Sequence, residues 1–137
     1  MNNNLLRTIT AEEVDIYQRD GVLLLQNMFD KDWIELLNKG LDVNIKTPTR
    51  RSRIWHKDTS GHSMFYDHTA WQGIDEYRKF IFNSPAAQIC GRLTGSTAIN
   101  FFFDSVFVRS TGTQFETPWH QDEPYWSVEG YDACSIW

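Results

Sequence analysis

The chain has 137 residues, of which 41% are apolar, 23% charged and 15% aromatic, and its formal net charge is −5. This is a globular composition, and its acidity argues against nucleic acid or an anionic membrane as the main partner. No apolar run approaches membrane-spanning length, and the first residues lack the charged and apolar regions of a secretion signal.

Thr10 followed by Glu13 fits a capping box, which predicts a helix running to about Asp20 with Gly21 as its left-handed stop. Residues 22–25 form a short apolar run and read as a buried strand. Asp30 then caps a second helix in which Trp33, Leu36, Leu37 and Leu41 recur at helical spacing, so Trp33 reads as core; Pro48 closes it. Residues 46–72 read as a solvated loop with surface histidines His56, His62 and His68. The same stretch concentrates Arg50, Arg51, Arg53 and Lys57, cations that would suit a carboxylate on an anionic ligand. Ile74, Tyr77, Phe80 and Ile81 predict a third helix. Ser84 and Pro85 predict the start of a fourth, which Gly95 ends. Residues 97–108 are rich in phenylalanine and β-branched side chains and read as one long strand, followed by a polar loop over 110–116. Residues 133–137 (ACSIW) read as the start of a buried strand.

The chemistry concentrates in TPWHQDEPYW at 117–126, where His120 and Asp122 stand two residues apart. On an extended strand alternate side chains share a face, so an imidazole and a carboxylate would project together. They would supply two of the three ligands of a 2-His-1-carboxylate site, which leaves open positions on Fe(II). A bare His-x-Asp is common, and its bland reading is a surface histidine beside a solvated acid. Here Trp119, Tyr125 and Trp126 flank the pair and Pro118 and Pro124 stiffen its ends, which suggests a shielded pocket. No histidine follows His120.

The 117–126 run, followed by ACSIW at 133–137, resembles the first metal-binding strand and the next strand of phytanoyl-CoA dioxygenase-like proteins. The upstream order of helices and strand is similar too. The resemblance implies an Fe(II)- and 2-oxoglutarate-dependent dioxygenase, a hydroxylase of a small organic or acyl substrate that also consumes molecular oxygen. It implies an α+β fold, with N-terminal helices packed on a double-stranded β-helix of the jelly-roll or cupin-like kind. It makes His120 and Asp122 the metal ligands and places Trp137, Gln121, Phe107 and Arg109 near the cofactor, with Trp126 facing substrate. Residues His56, His62 and His68 are not expected to replace the second iron histidine, which the family brings from a later strand.

A β-barrel domain commonly takes roughly 200–250 residues. Residues 1–137 are therefore expected to be the N-terminal part of one such domain, truncated before the distal histidine and the arginine that pairs with 2-oxoglutarate. Alone, they are expected to be inactive. Cys90 and Cys134 lack metal-ligand spacing and suit buried thiols in a reducing cytoplasm. Two alternatives stand beside the oxygenase: a non-catalytic, aromatic-rich binding module, and a cupin-like metal enzyme that does not use 2-oxoglutarate.

Overall fold

Thr10 starts the first helix as its sequence predicts. In the computed structural model, which describes residues 1–130 and 132–137, helix α1 spans Ala11–Asp20. The Thr10 hydroxyl accepts the Glu13 amide at 3.1 Å and the Glu13 carboxylate accepts the Thr10 amide at 2.9 Å. Gly21 ends the helix at φ 72°, its amide donating to the Tyr17 carbonyl at 2.8 Å. Arg7 clamps Glu13 with two guanidinium bonds of 2.9 and 2.7 Å.

Those bonds from Arg7, then the one from the Thr10 backbone, lower the Glu13 carboxyl from 4.5 to about 2. A depressed carboxyl adds stability above its unfolded value, and that stability is lost as pH falls through the folded one. Thermal melts between pH 4.5 and 2 are therefore expected to fall less steeply for Glu13→Gln than for the parent chain.

Helix α2 spans Lys31–Lys46, with the Asp30 side chain accepting the Trp33 amide. Trp33 is 1% exposed; its indole donates to the Asn2 carbonyl at 2.7 Å and its ring meets Phe80 edge-on. Between α1 and α2 the expected buried strand is absent. Leu23 and Leu25 pack on the cluster of Ile9, Met28, Ile89 and Leu93, while Val22 and Leu24 are exposed. The run alternates as a strand does, but no neighbouring strand pairs with its backbone among the described residues.

The expected loop over 46–72 instead contains strands β1 (Arg53–Trp55) and β2 (Met64–His68) and a 3-10 turn at Ala70–Gln72. The strands are short and charge-punctuated, so no run is long enough to show their period. Together with β3 (Ser105–Arg109) they form an antiparallel sheet in the order β1-β2-β3. Tyr66 pairs with Arg53 on one side and Phe107 on the other. Only the end of the predicted 97–108 strand is paired. Before it, the Asp104 carbonyl accepts the Thr69 amide and its carboxylate accepts the Trp71 amide, which ties the backbone to the turn rather than to a ladder. Residues 133–137 form no strand either, and Trp137 is 96% exposed.

Helices α3 (Asp75–Asn83) and α4 (Ala86–Thr94) lie where predicted. The Ser84 hydroxyl accepts the Ala86 amide at 3.3 Å, so α4 begins one residue later than the Ser-Pro pair suggests. One face of the sheet meets the helices. Val106 packs on Ala70, Ile74 and Tyr77, and the fully buried Asp67 bonds Asn44 of α2 at 2.7 Å. The result is an α+β arrangement of helices on a small antiparallel sheet. No helix among the described residues is long and apolar enough to cross a membrane.

Helices α2 and α3 meet at Gly40. A Cβ there would lie 2.8 Å from Tyr77 Cε1 and 3.0 Å from Glu76 Cβ. Tyr77 is only 7% exposed and has little room to yield. Gly40→Ala is expected to cost about 1–3 kcal/mol in urea unfolding, despite the better helix propensity of alanine.

Candidate metal centre

Arg109, at the end of β3, sets the course of the chain towards His120. Its guanidinium donates to the Phe115 carbonyl at 2.6 Å and to the Thr117 hydroxyl at 2.8 Å. The His56 ring stacks on Phe115 with centroids 4.4 Å apart. The run that follows has no strand partner among the described residues, and Asp122 leads into a 3-10 turn at Glu123–Tyr125. The predicted metal-binding strand is thus an irregular extended run that turns at its acidic residue.

The turn does what strand alternation was expected to do. His120 Nε2 lies 3.1 Å from Asp122 Oδ1. The other ring nitrogen, Nδ1, lies 2.7 Å from the Pro118 carbonyl oxygen. A carbonyl only accepts, so Nδ1 carries a proton; a neutral ring then turns its Nε2 lone pair to the carboxylate, and an imidazolium donates a second proton there. Two lone pairs at that range repel unless a proton or a cation lies between them. Two metal ligands at about 2.1 Å and at right angles stand about 3 Å apart, so the observed separation fits a shared cation. The backbone carbonyl behind Nδ1 is the outer partner that fixes ring and tautomer in metal-binding histidines.

The aromatic shield expected around the pair is not formed by its flanks. His120 and Asp122 side chains are 44% and 49% exposed, Trp119 is fully exposed and Tyr125 is 78% exposed. Tyr125 meets the His120 ring only edge-on, at 6.5 Å. An unpaired run has no opposing element to cover the side chains that alternate away from it. Gln121 is exposed, whereas Trp126 is half-buried and meets Phe102 and Phe103 edge-on at 6.4 Å. Phe107 and Trp137 do come together, stacked at 5.8 Å and 15°.

None of the upstream histidines joins the pair. His62 Nδ1 lies 2.8 Å from Asp58, and His68 lies between Tyr66 and Phe103. Both are half-buried rather than surface residues. Among the described residues no three His, Cys, Asp or Glu side chains gather closely enough to hold a metal.

The family model for phytanoyl-CoA dioxygenase (PhyH) matches residues 17–137. The chain belongs to the phytanoyl-CoA dioxygenase family. Members of that family are typically oxygenases and generally depend on Fe(II) and 2-oxoglutarate. No curated protein and no solved structure matches the chain.

In this phytanoyl-CoA dioxygenase family member the sheet face turned away from the helices carries an aromatic row that sequence reasoning missed. Trp55 stacks on Tyr66 at 4.8 Å, Tyr66 meets Phe107 at 5.0 Å, and Phe107 leads on to Trp137. Trp55 and Tyr66 were hidden because their strands were read as loop. Tyr66 stands between Phe65 and Asp67 in β2 and so alternates away from the buried Asp67, but strands of three and five residues are too short to show that period in the sequence. Arg53 sits beside Tyr66 in the register and donates to the Ser52 carbonyl rather than to a carboxylate.

Proposed function

We propose that the chain forms part of a non-haem Fe(II)/2-oxoglutarate-dependent dioxygenase that hydroxylates a small organic or acyl substrate with molecular oxygen. The single observation that carries the reading is the facing of His120 Nε2 and Asp122 Oδ1 at 3.1 Å, with Nδ1 held by the Pro118 carbonyl. His120 and Asp122 would be two of the iron ligands. Bound iron would supply oxygen activation coupled to the decarboxylation of 2-oxoglutarate to succinate.

The chain's own residues bind and orient. The Pro118 carbonyl accepts from Nδ1, which leaves Nε2 as the ring nitrogen that would face a metal. Arg109 anchors Phe115 and Thr117 and so fixes where His120 starts. Phe107 and Trp137 offer a flat apolar surface beside the co-substrate, with Gln121 and Arg109 near it, and Trp126 faces substrate. Covering by such rings excludes water from a reactive site. The third ligand, and an arginine pairing bidentately with the far carboxylate of 2-oxoglutarate, would come from sequence outside these 137 residues. That sequence would complete a jelly-roll barrel of which residues 1–137 are the N-terminal part, in a cytoplasmic protein.

The test is succinate release with Fe(II), 2-oxoglutarate and ascorbate, from the 137-residue chain and from a longer polypeptide that adds a downstream histidine and arginine. Chelator-sensitive succinate from the longer chain alone is the expected result. Comparable succinate from both would refute the shared-site reading. Iron binding with no succinate from either would favour the non-catalytic binding module.

A further inference from the structure

We infer that the outward face of the sheet binds an apolar monocarboxylate, with Arg53 taking the carboxylate and the aromatic row taking the body. Directly opposed residues of paired strands put their side chains on one face. Arg53 stands opposite Tyr66, and Tyr66 opposite Phe107, so a cation and two rings form one row across β1, β2 and β3. Trp55, two residues on from Arg53, shares that face and stacks on Tyr66 at 4.8 Å and 13°. Trp55 and Phe107 keep 41% and 43% of their surface exposed, apolar area that a ligand would cover.

Arg53 has the capacity for such a ligand. Its guanidinium carries five N–H donors and makes one side-chain bond among the described residues, to the neighbouring Ser52 carbonyl at 2.7 Å. No carboxylate of the described residues reaches it, in a chain with 18 acidic residues, whereas Arg7 and Arg19 each clamp one. Arg50, Arg51 and Lys57 are likewise exposed and without an acidic partner among the described residues. The stretch therefore sets a local positive potential on a chain of net charge −5, which draws an anion to this edge of the sheet. Once there, a carboxylate fits the arginine fork with two parallel bonds.

The row also sets which way the ligand lies and why it carries one carboxylate. Neighbouring strands stand about 4.8 Å apart, so Arg53 and Phe107 are separated by roughly 10 Å. Tyr66 lies between them and Trp137 beyond, at 5.8 Å from Phe107, so a second charge at the far end would meet rings. Arg109, two residues on from Phe107 and on the same face, bonds the Thr117 hydroxyl three residues before His120. The carboxylate is thus anchored at the β1 edge, and the apolar end runs across β3, the strand from which the metal-holding segment leaves. As a statement of substrate class this rests on the oxygenase function proposed above; the binding itself does not.

The test is equilibrium dialysis of the 137-residue chain against radiolabelled octanoate, with octanamide and 2-oxoglutarate as comparison ligands and no iron present. Octanoate should bind about tenfold more tightly than octanamide, the margin of a charge-assisted bond over a neutral one. Arg53 is exposed, so its variants test the ligand rather than the fold. Arg53→Gln should bring octanoate down to the level of octanamide and leave octanamide unchanged, and Arg53→Lys should keep part of the difference. Phe107→Ala should weaken both ligands by a similar factor. Lys57→Gln, which removes a nearby charge outside the sheet, should leave octanoate binding nearly unchanged. The proposal is overturned if octanoate and octanamide bind alike, or if Lys57→Gln costs as much as Arg53→Gln. It is also overturned if 2-oxoglutarate displaces octanoate at equal concentration, which would give Arg53 to the co-substrate. Succinate release by the longer polypeptide tests the oxygenase reading separately. Arg53-dependent octanoate binding with no succinate sinks only that reading, and succinate with no preference for octanoate sinks only this one.

Discussion

Asp67→Ala is expected to destabilise the chain by about 3–5 kcal/mol, the loss typical of removing one partner from a buried charged network. Asp67 is fully buried in β2, and its carboxylate accepts four donors from three directions. These are the Asn44 amide at 2.7 Å, the Thr49 backbone amide at 2.8 Å, the Thr49 hydroxyl at 2.5 Å and the His68 amide at 2.9 Å. Alanine would leave all four buried or half-buried without that acceptor. Burial alone would push this carboxyl up, but the bonds from Thr49, Asn44 and His68 outweigh it and hold it below its usual range. Its contribution is therefore present above the unfolded value near 3.8 and is lost as pH falls further. Asp67→Asn keeps one acceptor oxygen and should lose roughly half as much. Urea unfolding at neutral pH measures both variants; an alanine variant within about 1 kcal/mol of the parent would show the network to be incidental. Coupling between Asp67→Ala and Asn44→Ala in a double-mutant cycle would locate the loss at the α2–sheet contact.

That network also marks where sequence reading reaches and where it stops. Helix starts and stops were legible because they depend on neighbours within one turn: Thr10 with Glu13, Asp30 with Trp33, and Gly21 and Gly95 in the left-handed region. Strands depend on partners far away in sequence. Val22 to Leu25 has the alternation of a strand and no ladder, whereas Arg53–Trp55 has a ladder and too few residues to show alternation. Asp67 could not be singled out, because nothing local distinguishes an acid that will be buried under α2 from one that will be solvated. The His120 and Asp122 pair was legible as spacing and residue type, but for a different geometric reason. The two groups meet through a turn at Asp122, and Pro118 contributes its carbonyl. Arg109 was noticed as a cation; that it reaches forward to Phe115 and Thr117 is a tertiary fact.

His120→Ala is expected to lower Fe(II)-dependent succinate formation by at least about a hundredfold in the longer polypeptide. Removing even an outer partner of a metal ligand typically costs 10–100-fold in affinity or activity, and a ligand itself should cost no less. Asp122→Ala should match it, because each residue supplies one side of the 3.1 Å pair. Arg109→Gln separates holding from reacting. It removes the anchors on Phe115 and Thr117 without touching the pair, so it should raise the Fe(II) concentration needed about tenfold. Trp119→Ala distinguishes the two pictures of this segment. A shielding wall inferred from sequence alone makes Trp119 important, whereas a fully exposed indole touching nothing of the pair makes it dispensable. The structure therefore leads us to expect near-parent succinate from Trp119→Ala. Iron titration and succinate yield on the same four variants decide the matter: equal losses for Trp119→Ala and His120→Ala would mean that the segment matters only as a folded whole. A hundredfold loss confined to His120 and Asp122 would mark these two side chains as the metal-holding groups.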